Sequence, residues 1–196
     1  MMSTAVIRRY SCRAAILLAL GLYAPGAHAA DGIVGIADLG RGEVCFTSGN
    51  RSAVGADCAA LVVDAVAAAR TTVLVQAYNF SEPRIIAALI AAARRGVAVT
   101  LIVDKETAHE RGQGVGAVLA AGIPVYVDRR PRIAHNKVMV IDGGTVLTGS
   151  LNFSVSAACC NAENLLVVHS RELAAAYAEN FARRKAVSED IVASDP

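Results

Sequence analysis

At 196 residues with a formal net charge of +2, the chain is long enough for one domain around one core and too weakly charged to attract anions as a whole. Three of its 19 cations, Arg8, Arg9 and Arg13, precede the first acid, Asp31, so without them 16 cations face 17 acids, a formal −1. Net charge therefore gives no argument for a nucleic-acid partner, and any affinity for phosphate must come from local clustering.

Arg8, Arg9 and Arg13 lead into an uncharged, mostly apolar run of eleven residues, Ala14 to Ala24, and Ala27-His28-Ala29 then offers small residues for a signal peptidase. That order is the order of a secretory signal peptide. Eleven residues rise about 16 Å as a helix, roughly half a bilayer core, which disfavours a permanent anchor. The expectation is a removed segment 1–29, one folded domain over 30–187, a polar tail over 188–196, and a periplasmic or secreted product.

Glu43–Thr47 reads as a short strand, turned by Ser48-Gly49-Asn50. Asp57–Arg70 carries Leu61, Val62, Ala65, Val66 and Ala69 at helical spacing. Thr72–Ala77 is β-branched and apolar, a buried strand. Ser81 is the expected cap of a helix with Pro83 in its first turn, running to about Arg95 and stopped by Gly96. Val97–Val103 is the next strand, Gly112–Ala121 a weaker helix ended by Gly122, and Pro124–Val127 a short strand. Asn136–Ile141 and Thr145–Thr148 flank Asp142-Gly143-Gly144, a hairpin signal. Leu165–Val168 is a further strand and Arg171 to about Lys185 a closing helix. Strands alternating with helices early and hairpin strands late predict an α/β domain, a mixed sheet with helices on both faces.

Export permits disulfides. Cys45, Cys58, Cys159 and Cys160 allow three pairings; Cys45 with Cys58 is the first choice because both flank one short loop, and neighbouring Cys159 and Cys160 are expected not to bridge without strain. No His or Cys spacing points to zinc.

The chemistry concentrates between Ala134 and Ser154. His135 and Lys137 stand two apart and project from one face of a strand, which continues as Val138, Met139, Val140 and Ile141. Ser150 and Asn152, again two apart, follow the second strand, and a hairpin brings the two ends together. An imidazole, an ammonium, a hydroxyl and an amide then converge at one end of a sheet. That set suits a phosphodiester. Lys137 supplies positive charge to the non-bridging oxygens, Ser150 and Asn152 donate hydrogen bonds to them, and neutral His135 can attack phosphorus. Arg129, Arg130 and Arg132 precede the site as a basic cluster. Asp142 sits in the turn, where bonding to turn amides is at least as good a reading as catalysis. Asp104 ends a strand where α/β sheets bind ligands, or caps the next segment. Tyr78 and Phe80 wall the pocket, or pack in the core.

His135, Lys137, Asp142, Gly149 and Ser150 stand at the spacing of the HKD motif, with Asn152 completing a Gly-Ser-x-Asn variant. The segment resembles that motif of the phospholipase D superfamily. Asn161-Ala162-Glu163-Asn164 resembles the downstream family segment that supplies a glutamate, and Val44–Thr47 and Gln76–Ser81 resemble stretches of small bacterial members. The resemblance implies that His135, Lys137 and Glu163 are catalytic, that Ser150 and Asn152 bind substrate with Lys137, and that Asp142 and Gly149 give structural support. It implies no metal and no cofactor. Superfamily enzymes with two motifs in one chain differ from this one, which has no second His-x-Lys. The small single-motif members pair two chains, so the resemblance implies a homodimer with its site at the dyad. Glu163 would then hold Nδ1–H of a His135 imidazole. The function expected is a non-specific endonuclease acting on DNA or RNA phosphodiesters through a phosphohistidine. The alternatives are a phospholipase D acting on phospholipid head groups and an inactive nucleic-acid-binding module.

Overall fold

The chain runs β1 (Arg41–Phe46), α1 (Cys58–Ala68), β2 (Thr72–Ala77), α2 (Pro83–Arg94), β3 (Ala98–Asp104), α3 (Lys105–His109), α4 (Val115–Ala120), β4 (Val125–Asp128), β5 (Lys137–Ile141), β6 (Thr145–Gly149), α5 (Val155–Cys159), β7 (Asn164–His169), α6 (Arg171–Lys185) and β8 (Glu189–Ile191). This computed structural model describes residues 40–47, 49, 57–109 and 114–191; the predicted signal segment 1–29 and the last residues, 192–196, lie outside them. The strands form one mixed sheet in the order β1-β7-β6-β5-β2-β3-β4-β8. β2, β3 and β4 are parallel, and every other pairing is antiparallel.

Alternation along β5 shows how both faces are covered. Met139 and Ile141 pack with Val62 and Val66 of α1 and Ile85 and Leu89 of α2. Val138 and Val140 turn the other way, joining Val146 and the α6 residues Leu173, Ala174 and Tyr177. Covered on both sides, β5 is apolar at every position from Val138 to Ile141, and each such side chain contributes roughly 1.5–3 kcal/mol. The predicted α/β architecture, a mixed sheet between helical layers, is the one observed.

Several local expectations are corrected. The cap of α2 is Glu82, in extended conformation without a side-chain cap bond, because Ser81 turns its hydroxyl to the Val155 N–H at 3.4 Å. The helix predicted from Gly112 is described only from Val115; residues 110–113 lie outside the described residues. The short helices α3 and α5 were not predicted, since five residues hold too little periodicity to read. Glu189–Ile191, expected in a polar tail, pairs with β4 in the register Tyr126↔Asp190, and Arg129 Nε bonds Glu189 Oε2 at 2.6 Å.

Cys45 and Cys58 are bridged as expected, with Cα atoms 5.6 Å apart. The expectation against a Cys159–Cys160 bridge is overturned: these neighbours are joined. The helix α5 ends there, and Cys160 leaves helical geometry at φ −138° and ψ −13°, which lets the two side chains meet.

Candidate active site

The hairpin delivers its residues to one end of the sheet because of register. Ala77 pairs with Lys137, and Val138 pairs with Thr148 one step before β6 ends at Gly149. His135 lies just ahead of β5 and is exposed, while Lys137, its first residue, is buried. Lys137 Nζ donates to the His135 carbonyl oxygen at 2.8 Å. Tyr78 serves both: its ring centroid lies 4.5 Å from that of His135 and 5.0 Å from Lys137 Nζ. The backbone fixes this arrangement, for the Tyr78 N–H donates to the Asn136 carbonyl at 3.0 Å and the Thr107 hydroxyl donates to the Tyr78 carbonyl. Burial lowers the Lys137 ammonium below the ordinary lysine range, and the charge of Glu163 partly offsets it. Phe80 is a core residue, paired with Phe153 in an isolated bridge, and is not a pocket wall.

Glu163 is the hub of the other half. Its Oε2 accepts from the Ser150 hydroxyl at 2.5 Å and its Oε1 from Asn161 Nδ2 at 3.0 Å. Ser150 Oγ in turn accepts from the Asn164 N–H at 3.0 Å. Among the described residues the Glu163 carboxylate makes no bond to His135 of its own chain. Asn152 Oδ1 is buried with no hydrogen-bond partner, so this amide is uncommitted on one side. Gly149 is dictated by the backbone: an added Cβ would meet the Asn164 carbonyl oxygen at 2.3 Å, a fixed atom that cannot yield.

The three aspartates singled out by sequence or fold hold loops. Asp142 adopts φ 51°, and its carboxylate accepts from the N–H groups of Arg70, Thr71 and Thr72 and from the Thr71 hydroxyl, at 2.8–3.0 Å. Partial burial pushes its carboxyl up, but these bonds outweigh it and hold it at about 2. Asp104 is fully buried; it accepts from the Glu106 N–H at 2.9 Å and from the Ala134 N–H at 2.6 Å. It therefore caps α3, as one of its two readings had it, and also anchors the residue before His135. Asp128, likewise buried, accepts from the Arg130 N–H at 3.2 Å and from Arg184 Nε at 2.7 Å. The segment between Asp128 and His135 is thus pinned at both ends, and it presents Arg130 and Arg132 to solvent. Sequence reasoning did not single out Asp128 or Thr47. The one signal available for Thr47 was its place in a segment of family resemblance.

A family model described as cardiolipin synthase, PLD-like domain, matches residues 62–185. The chain is 38% identical over 153 residues to a phospholipase D of Rickettsia bellii, covering 77% of this chain and 73% of that one. It is 30% identical over 162 residues to the mitochondrial cardiolipin hydrolase of Homo sapiens, covering 83% of this chain and 60% of the relative. The crystal structure of Nuc from Salmonella typhimurium, a phospholipase D family member, matches with a TM-score of 0.70 at 31% identity, over 78% of this chain and 98% of its own.

Proposed function

Because this chain belongs to the phospholipase D-like family, we propose that it is an exported, metal-independent phosphodiesterase that cuts nucleic acid as a non-specific endonuclease. The observation that carries the reading is the buried Lys137 ammonium set against His135 and within the field of Glu163. A buried cation held against the backbone of an exposed histidine is suited to a phosphoryl group in transfer. In the first step His135 attacks phosphorus; the N–P bond forms, the P–O bond to the leaving group breaks, and His135 of the partner subunit protonates the departing oxygen. In the second step that same partner imidazole takes a proton from water, which attacks phosphorus and breaks the N–P bond. Lys137 holds the non-bridging oxygens, and Ser150 joins it once its O–H turns from Glu163 Oε2 to the phosphate. The Asn152 amide, turned by half a rotation, presents its NH₂ group where Oδ1 now lies unpartnered. Glu163, bonded within its own chain to Ser150 and Asn161, is assigned to the imidazole across the dyad.

Two surface features support the rest. Arg130 and Arg132 are exposed on the pinned segment leading to His135, a local cationic approach of the kind that a phosphate chain needs. On the outer edge of the sheet Val44, Phe46 and Leu166 are exposed. Val44 pairs with Leu166, and Phe46 with Asn164, so this apolar patch runs up to the Ser150 cluster and supports pairing of two chains there. The two disulfides agree with export to an oxidising compartment.

The test is nicking of supercoiled DNA by the purified protein in excess EDTA, beside release of choline from phosphatidylcholine, with His135→Asn as control. Cleavage of DNA by the wild type alone is expected. Release of choline without nicking would move the substrate to phospholipid head groups. Failure of both by a folded dimer would favour a binding module, and substantial turnover by His135→Asn would reject His135 as nucleophile.

A further inference from the structure

We infer that Thr47 is the positioning residue for Glu163, an assignment that rests on the phosphodiesterase reading above. Two bonds join the two positions and a third ties Thr47 to Asn161. The Thr47 N–H donates to the Glu163 carbonyl at 3.0 Å, the Glu163 N–H donates to Thr47 Oγ1 at 2.7 Å, and Thr47 Oγ1 donates to the Asn161 carbonyl at 2.6 Å. The hydroxyl thus acts as acceptor and donor at once, on the main-chain N–H of Glu163 and the main-chain carbonyl of Asn161, the residue whose side-chain amide holds Oε1.

The need for such a clasp follows from the chain path. Cys160 to Glu163 belong to no regular element, lying between α5 and the first pair of β7, Phe46↔Asn164. Without Thr47 the Glu163 backbone would hang from the end of the ladder. Thr47 is itself well placed to be rigid. It follows β1, whose single buried residue, Cys45, is bridged to Cys58 at the start of α1. A covalent line therefore leads from α1 through Cys45 to Thr47, and hydrogen bonds carry it on, two to the Glu163 backbone and one to that of Asn161. A carboxylate that must meet an imidazole gains from this fixed origin, since displacement by about 1 Å can cost ~100-fold in rate.

An ordinary turn hydroxyl would serve stability and nothing else, so the test separates rate from folding. Hydrolysis of bis(p-nitrophenyl) phosphate in EDTA is measured for wild type, Thr47→Val, Thr47→Ser, Glu163→Gln and the double variant Thr47→Val/Glu163→Gln, with Tm for each. Thr47→Val keeps the shape and deletes both hydroxyl bonds; its kcat should fall ~10- to 100-fold with KM changed by less than about threefold. Thr47→Ser should restore the rate. In the Glu163→Gln background Thr47→Val should cost little more, since coupled residues are not additive. A Thr47→Val enzyme with wild-type kcat, or an additive loss in the double variant, overturns the inference while Glu163→Gln stays impaired. Glu163→Gln at the wild-type rate would instead strike the catalytic role proposed for Glu163. Should valine prevent folding, Thr47→Ala carries the same comparison.

Discussion

Asp142→Asn separates a structural aspartate from a reacting one. Asn has the same shape and, like Asp, tolerates the left-handed backbone that Asp142 adopts at φ 51°. The substitution therefore leaves the turn between β5 and β6 unstrained; it removes the negative charge that four donors from residues 70–72 approach and, with an NH₂ group in place of Oδ2, the acceptor of the Arg70 N–H. A carboxyl held at about 2 against an ordinary 3.8 corresponds to about 2 kcal/mol at neutral pH, taking ~1.4 kcal/mol per tenfold in acidity. Asp142 is exposed, and solvent screening reduces this to about 1 kcal/mol, a fall in Tm of about 2–4 °C for a domain of this size. A depressed folded-state acidity makes the contribution complete above the unfolded value near 3.8 and lost as pH falls towards 2. Thermal unfolding of wild type and Asp142→Asn should therefore differ at pH 7, converge on acidification, and leave EDTA-resistant turnover largely intact at a temperature where both are folded. Wild-type Tm at pH 7 together with abolished turnover would refute the structural role and put Asp142 in the reaction.

Burial lowers the Lys137 ammonium despite the opposing charge of Glu163, so the rate should decline on the alkaline side below the ordinary lysine value of 10.5. Lys137→Arg, always charged but of different shape, should be slower and lose that limb; the same limb in the variant would assign it elsewhere. Gly149→Ala places a Cβ 2.3 Å from the Asn164 carbonyl oxygen, forcing β6 and β7 apart where Gly149 pairs with Leu165. A loss of about 1–3 kcal/mol by urea denaturation is expected, and an unchanged midpoint would show that the close approach is relieved freely.

What could be read from the sequence was whatever depends on neighbours in the chain. Thr72–Ala77 was legible to the residue because a strand buried on both faces has only apolar and β-branched choices around Gln76. Arg171–Lys185 was legible because fifteen residues hold a full helical pattern. The hairpin also foretold that Lys137 and Ser150 share one end of the sheet. Contacts between distant segments left no such trace. Ser81 has every local qualification for a helix cap, yet Val155, 74 residues on, takes its hydroxyl. β8 is Glu-Asp-Ile, which has no apolar alternation, and it forms because β4 offers an open edge. Thr47 reaches a partner 116 residues away, and no periodicity encodes that meeting.

The commitments within one chain bear on the proposed dimer. Lys137 Nζ is bonded to the His135 carbonyl, and both oxygens of Glu163 are bonded, to Ser150 and to Asn161. The His135 imidazole stands apart from this network: its contact among the described residues is the Tyr78 ring, with no hydrogen bond to either nitrogen. A nucleophilic imidazole becomes bonded to phosphorus through one nitrogen and cannot at that moment protonate the leaving oxygen on the opposite side. That proton needs another acid, in line with the attack. Lys137, directed to a backbone carbonyl on the same side as His135, is poorly placed to supply it. A dyad at the end of the sheet where His135 and Glu163 lie would bring a second imidazole without any further residue, and would give the His135 ring nitrogens a carboxylate from the other chain. Pairing would then be the step that completes the reaction's proton inventory.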